Sequence, residues 1–452
     1  MNQLDEAVAR YQKILETEPY KDLSWAEALT ERMQAEHLTE AGRLVCPFLR
    51  PNFITRRQYE SVVRAAESLL SAIDRIKQMA LSTPALLARM ELLPAEKMLA
   101  SIDPGYPFLA VTSLLDTHLG NASLAFVDYS ADSPAGVAYG EALADIFYDA
   151  PPVKEFRKRY KLEKMGGKKH LISALLKAYK QFGGKHKPNI AILEFRQAFQ
   201  TGDRGEYALL RDYLQREGYQ AELISPEQLE YRNGVLQHGA FRIDLIFRRI
   251  KVQEFLLRYD LSHPLVRAYR EGKVCLVNSF RSELAQKKAI FDLLTDETVT
   301  AGFPAAEKKA IRQYIPWTRV VRAGFASHGG ETVDLPEFIL KNREKLVLKP
   351  NDVSGEHHSV RGWETDGATW DRALKRALRT PYVVQEKVEA PHSSFPVLRY
   401  GEMEVKSMRV DLHPQAYLGK VQSCSSWLTA NNGGGFSTIT GLVPTFIIEP
   451  KG

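Results

Sequence analysis

Apolar residues at Val62, Ala65, Leu69, Ala72, Ile73 and Ile76 recur at the three-to-four spacing of one helix face, so residues 60–80 predict an amphipathic helix. Residues 1 to about 102 read as helical throughout. The pattern stops at Pro104-Gly105-Tyr106-Pro107, a dense turn signal. Beyond it, FLAVTSLLD (108–116) and SLAFVDYS (123–130) read as two strands joined like a hairpin through Thr117–Ala122. The segment SPAGVAYGEALADIFY begins a helix, with Ser133 as N-cap and Pro134 at its first position.

Flexible basic segments, KMGGKKH and QFGGKHKP, flank a short helix (171–181) and mark a domain boundary between 164 and 188. From Asn189 the pattern becomes strand (NIAILEF), helix (EYALLRDYLQREG), strand (QAELI), with a further buried strand in FRIDLIFRR. Such alternation predicts an α/β unit with parallel strands. The remainder alternates short strands (KVCLVN, KLVLKP, YVVQEKV) with helices such as ELAQKKAIFDLL and WDRALKRAL. The expected division is a helical region over 1–104, then units over 105–185, 186–270 and 271–452.

The 452 residues are 44% hydrophobic and 26% charged, which excludes disorder and low-complexity architectures. No run approaches the ~18 uncharged apolar residues of a membrane span. The first residues carry acids and no apolar stretch, so no secretory signal is expected. Three widely spaced cysteines suit neither a disulfide framework nor a thiolate metal site, and a reducing cytoplasm is the expected setting. The net charge of +6 is too mild for a nucleic-acid-binding surface, and the basic loops lack interleaved aromatics.

Candidate chemistry falls in five places. Asp116 and Asp128 end adjacent candidate strands, and Ser130 shares a strand face with Asp128. Two carboxylates and a neutral oxygen suit Mg²⁺, although aspartates before turns are also common. Lys349 ends a buried strand before Asn351 and Gly355, a way of presenting charge and backbone amides to a phosphate, or simply a surface loop. Gln385, Glu386 and Val388 end YVVQEKV, a strand able to lie against a nucleobase or merely a half-buried one. The run NNGGG at 431–435 is either a mobile loop or a close backbone approach to a ligand. Arg248 and Arg249 end IDLIFRRI, where paired guanidiniums could clamp a carboxylate or a phosphate, or simply form a charged strand terminus in solvent. Neither a Walker A loop nor a GxSxG elbow occurs.

Taken in order, these segments resemble the circularly permuted ATP-grasp proteins related to glutathionylspermidine synthase. In that family the metal-binding acids precede the nucleotide-binding lysines, as DYSADSPAG here precedes KKAIFDLL and LVLKP. The resemblance covers roughly residues 40 to 450, including LRPNF, HPLVRAYREGKVCLVNSFR, IPWTR and the final GGG…VPTF. It implies an α/β, ATP-grasp-like, circularly permuted fold with a helical N-terminal region. It also implies an ATP- and Mg²⁺-dependent ligase that joins a small carboxylate to an amine or peptide through an acyl phosphate. Asp116, Asp128 and Ser130 match the metal positions, and Lys288 and Lys349 the phosphate-binding lysines. Asn278, Arg281, Arg248 and Arg249 are the candidates for contacting the carboxylate substrate or the acyl phosphate. The chain departs from the family at Leu114, where an arginine is expected, at Asp128 and Ser130, in the loop VSGEHHSV and within QSCSSW. The alternative these departures raise is a degenerate member that only binds a nucleotide or a partner.

Overall fold

The computed structural model describes residues 3–195, 205–352, 359–399, 401–430 and 439–451. Gly355 and the glycine run 433–435 lie outside the described residues.

An eight-stranded sheet forms the centre. Its main order is Asn52–Thr55, Thr440–Pro450, Lys420–Ala430, Glu402–Tyr417, Thr112–Leu119 and Leu124–Ser130. His392–Arg399 pairs with the first half of Glu402–Tyr417, and Tyr160–Lys164 pairs with Thr440–Pro450. The long helix Arg56–Ser82 opens on a capping box made by Thr55 and Gln58. Its predicted apolar stripe (Ala65, Leu69, Ala72, Ile73, Ile76) packs on Leu115, Phe126 and Tyr129 of the sheet. The helices Gln3–Leu15 and Ser24–Ala35 cover the other end, against Val137–Asp149 and the strands around Phe446.

The second unit is a four-stranded parallel sheet, ordered Cys275–Val277, Leu245–Arg248, Ile190–Leu193, Ala221–Ile224. Its strands are apolar on both faces because helices cover both. Ile190, Ile192, Leu245 and Phe247 meet Leu171, Leu175, Leu210 and Leu214, while Ala191, Leu193 and Ile246 meet Phe255, Leu265 and Tyr269. The third unit is a small antiparallel sheet, ordered Thr318–Val320, Tyr382–Glu386, Leu346–Pro350, Val360–Arg361. Among the described residues no helix is long and apolar enough to cross a membrane.

Three expectations need correction. Residues 1–102 are not helical throughout, since Asn52–Thr55 is a strand paired in parallel with residues 445–448. The helix expected from Ser133 starts at Val137, after Gly136 at φ 95°. Its first amides are capped by the Glu206 carboxylate, which accepts from Gly136 N and Ala138 N at 2.8 Å each. Residues 402–450 do not continue the expected alternation of short strands with helices but contain three strands of 16, 11 and 11 residues.

Candidate functional site

The two aspartates face each other directly. Asp116 and Asp128 are register partners across the hairpin, and Leu114 is the partner of Ser130. The next pair is Thr117 and Phe126, so Val127 is the extra residue of a β-bulge and its carbonyl is free of the ladder. Lys349 reaches that carbonyl at 3.0 Å and also donates to Gln385 Oε1 at 2.8 Å. Lys288 donates to Asp128 Oδ2 at 2.6 Å. Lysines from two elements far along the chain thus converge on consecutive residues of the acidic hairpin.

Local structure explains why each lysine points there. In Leu346–Pro350, Leu346 and Leu348 face the core with Ile339, Trp370 and Leu374. Alternation turns Lys349 to the opposite face, beside Gln385 and Val383 of the neighbouring strand. Gln385 is buried and donates on to Thr318 Oγ1 at 3.0 Å. Lys288 sits in a break between the short helices Glu283–Gln286 and Ala289–Leu294. Asn351 holds that break: its backbone carbonyl accepts from Lys288 N at 3.0 Å and its Oδ1 from Ala289 N at 2.9 Å. Its Nδ2 donates to Met90 O, so the loop after Lys349 is docked on the N-terminal region as well.

One face of the large sheet is charged. Arg409, Asp411 and His413 alternate along Glu402–Tyr417, opposite His118 and Asp116. His413 Nε2 lies 3.1 Å from Asp116 Oδ1, and His118 Nε2 3.0 Å from Asp411 Oδ1. Burial would raise the Asp116 carboxyl, but His413, Lys288 and Lys349 together hold it below the usual carboxylate range. Burial would likewise depress His413, and Asp116 overcomes this to raise it.

Behind Lys288 lies a buried charge cluster. Lys287 Nζ is 2.9 Å from Glu96 and 3.1 Å from Glu283, and it also pairs with Asp352. Among the described residues, Glu96, Glu283 and Asp352 are the acidic set with ligand atoms near enough to share one ion, and the Lys287 ammonium occupies their centre. The Asp116–Asp128 pair instead offers hard oxygen donors on the rim of the site beside two lysines. That donor set fits Mg²⁺, which keeps several waters and binds through one or two carboxylates plus phosphate oxygens. Ser130 Oγ lies 3.4 Å from Gln286 Oε1, which also accepts from the amides of Ala131 and Asp132.

The remaining expected residues are placed as follows. Glu386 pairs with His328 at 2.8 Å, and Val388 is half-buried in the segment that follows the strand. Arg248 is fully buried and committed to the fold: it binds Asp132, the carbonyls of Asn278 and Ile250, and Ser282 Oγ. Asn278 joins the parallel sheet to the hairpin, accepting from Val111 N and Thr112 N and donating to Thr112 O and Ala131 O. The structure does not bring these two to the lysines. Among the described residues, Arg281, half-buried, has no partner for its Nε, and Arg249, buried, has none for Nε or Nη1. Sequence reasoning missed His413, although the alternation in RVDLHP carries a period-two signal.

No family model and no curated protein matches the sequence. Among solved structures, a glutathione synthetase-like effector from Globodera pallida superposes with a TM-score of 0.62 at 12% identity, over 96% of this chain and 98% of that one. Its fold is the fold of this chain. The expected α/β fold class is therefore the one observed, and its arrangement is that of the glutathione synthetase-like effector. A putative γ-glutamylcysteine synthetase from Methylobacillus flagellatus is more distant, with a TM-score of 0.43 at 11% identity, over 85% of this chain and 86% of that one. A RimK-domain ATP-grasp protein from Sphaerobacter thermophilus reaches a TM-score of 0.27 at 16% identity, over 56% of this chain and 89% of that one.

Proposed function

We propose that the protein is an ATP-dependent carboxylate–amine ligase with a circularly permuted ATP-grasp arrangement related to glutathionylspermidine synthase. The observation that carries this reading is the convergence of Lys288 and Lys349 on the hairpin that pairs Asp116 with Asp128. Phosphoryl transfer needs positioning and charge neutralisation more than covalent participation by the protein, and these four side chains supply both signs of charge at one place. In the reaction, a substrate carboxylate oxygen takes the γ-phosphoryl group of ATP and ADP leaves. An amine nitrogen then displaces inorganic phosphate and loses a proton, giving the amide.

Lys349 and Lys288 bind phosphate oxygens, and Lys288 exchanges its Asp128 partner for one of them. Asp116 and Asp128, with Ser130 beside them, would hold Mg²⁺, which neutralises triphosphate charge when bound. Asn351 positions Lys288 through its backbone contact, while Gln385, Glu386 and Val388 border the nucleobase. Arg281 and Arg249, whose N–H groups are not all used by the described residues, are the candidates for the carboxylate substrate. Three buried, unbridged cysteines suit a cytoplasmic setting.

Titration calorimetry of Mg·ATP tests the site. Wild type should bind with a dependence on magnesium, and Lys349→Ala and Asp128→Ala should each weaken binding strongly. Folded wild type that binds no Mg·ATP, or binding untouched by both substitutions, refutes the assignment. One observation favours a second reading, a nucleotide-binding protein without ligase activity: apolar Leu114 stands directly opposite Ser130 where a positive charge is expected. Nucleotide binding with no ADP release across acid and amine pairs would select it.

A further inference from the structure

A cavity of ≈ 610 Å³ opens at the turn of the acidic hairpin, lined by none of the residues assigned to the nucleotide or the metal. Its walls come from four parts of the chain. These are Gln3 and Leu4, the first turns of the helix Arg56–Ser82, the hairpin turn Leu119–Leu124, and the end of the helix Ala305–Tyr314. A space of this size is in the range that holds a small molecule. Leu119 and Leu124 are register partners packed with Ile54 and Val62, and they give the cavity an apolar wall.

The polar groups beside that wall are uncommitted. Arg56 is bound to Glu163 and Glu449, but Arg57, exposed at the cavity, has no partner among the described residues. Ser61 lies one turn further along the same face of the helix. Gln58 spends its Oε1 on the capping box, while its Nε2 has no acceptor among the described residues. Guanidinium, hydroxyl and amide donors thus converge from one helix turn. Asn121, Gln313 and Tyr314 add groups that both donate and accept, again without partners among the described residues. Among the described residues no carboxylate lines the space. Beside Gln313, Lys308 and Lys309 have no acid partner among the described residues, and Arg312 meets only the exposed Glu297.

This donor set favours one chemistry. A carboxylate offers two oxygens and one charge, whereas a phosphate monoester offers three oxygens and nearly two charges, and it uses a guanidinium plus two further donors more fully. The groups that both donate and accept, together with the apolar wall, suit a hydroxylated ring. The cavity is also tied to the acidic pair. Leu119 is three residues from Asp116, ~10 Å along the strand. Tyr314 rests edge-on against Phe126 with ring centres 6.3 Å apart, and Phe126 precedes the bulged Val127 whose carbonyl Lys349 takes.

We infer that this cavity is an effector site for a sugar phosphate, with the phosphoryl group on Arg57 and the ring against Leu119 and Leu124. A ligand there orders the hairpin turn and leaves less of the hairpin to be ordered when Mg·ATP binds. The effect on nucleotide rests on the ligase reading; the binding of the sugar phosphate does not.

Titration calorimetry of the full chain without nucleotide tests the site with ribose 5-phosphate and glucose 6-phosphate, and with the free sugars and inorganic phosphate for comparison. A sugar phosphate should bind, and its free sugar and inorganic phosphate should bind about tenfold or more weakly. Arg57→Met should weaken binding by about tenfold or more. Arg64→Met, at another exposed arginine of the same helix, should leave it unchanged. Hydrogen exchange of the amides over 119–128 should slow on binding. Mg·ATP should bind about fivefold more tightly with the sugar phosphate present, and by reciprocity should tighten the sugar phosphate by the same factor. The inference is overturned if neither sugar phosphate binds, if inorganic phosphate binds as well as they do, if Arg57→Met binds like wild type, or if hairpin exchange is unmoved. Mg·ATP affinity that is equal with and without the sugar phosphate also overturns it. Sugar-phosphate binding that slows hairpin exchange in a chain that ignores Mg·ATP would leave this site standing and remove the ligase. Mg·ATP binding with no sugar-phosphate binding would do the reverse.

Discussion

Lys287→Met takes out the cation that, among the described residues, Glu96, Glu283 and Asp352 share. Lys287 and Glu96 are fully buried and Glu283 nearly so, so water does not replace the lost charge. At ~3 Å and an effective dielectric constant of ~20, each ammonium–carboxylate contact is worth ~5 kcal/mol before desolvation is counted. Removing one partner from a buried pair costs ~3–5 kcal/mol net, and here the Glu96 and Asp352 carboxylates share that partner beside a largely protonated Glu283, so a loss within that range is expected. The variant's native state relieves the repulsion by taking up protons. Each extra proton should narrow its deficit by ~1.4 kcal/mol per pH unit as the medium is acidified. Urea denaturation of wild type and variant at about pH 8 and about pH 6 reads both effects. A deficit under about 1 kcal/mol at the higher pH, or an equal deficit at both, would show that Lys287 does not neutralise these acids. Because Asp352 follows Asn351, which holds Lys288 through its backbone, the variant should also weaken Mg·ATP binding.

Burial raises Glu283 to about 8 from its usual 4.5, so the native state holds a proton that the unfolded chain releases. Stability should therefore fall as pH rises from about 4.5 to about 8, and Glu283→Gln should flatten that slope; parallel denaturation curves for the two proteins would contradict this. Arg248→Met should cost ~3–5 kcal/mol in unfolding free energy because it strands the buried Asp132 carboxylate, and Arg248→Lys should recover only part. A loss below about 1 kcal/mol for Arg248→Met would argue against that ion pair. Gly362→Ala would place a Cβ 1.9 Å from the Arg343 carbonyl oxygen, whereas Gly367→Ala meets nothing within 4 Å. The first should lose ~1–3 kcal/mol and the second little or nothing in thermal melts, and equal melting temperatures would refute the contact.

The acidic hairpin and Lys349 were legible because each depends on local alternation: short strands bounded by turns, with polar residues at fixed parity. The α/β unit was legible for the same reason, its strands being continuous apolar runs. What escaped was set by distant partners. Ser133-Pro134 is a sound local helix start, yet Glu206, 70 positions away, caps the helix three residues later. The periodicity of ELAQKKAIFDLL predicts one helix, but Lys287 is drawn into its acidic pocket and Asn351 caps a second helix at Ala289. Strand Glu402–Tyr417 was obscured by Pro414 in its interior, a residue that ordinarily argues against a central strand. Without that strand, His413 had no face to be assigned to and could not be linked to Asp116.

The pairing of Thr440–Pro450 with Asn52–Thr55 on one side and Tyr160–Lys164 on another bears on how the molecule is made. The ion pair between Arg56 and Glu449 spans 393 positions of chain. Until the late strands arrive, the early ones present open hydrogen-bonding edges, and closing loops of that size slows assembly. The acidic hairpin can form early from neighbouring residues, but the strand bearing His413 and the lobe bearing Lys349 reach it only at the end. Nucleotide affinity should therefore be among the last properties acquired during refolding, well after most helical signal has returned.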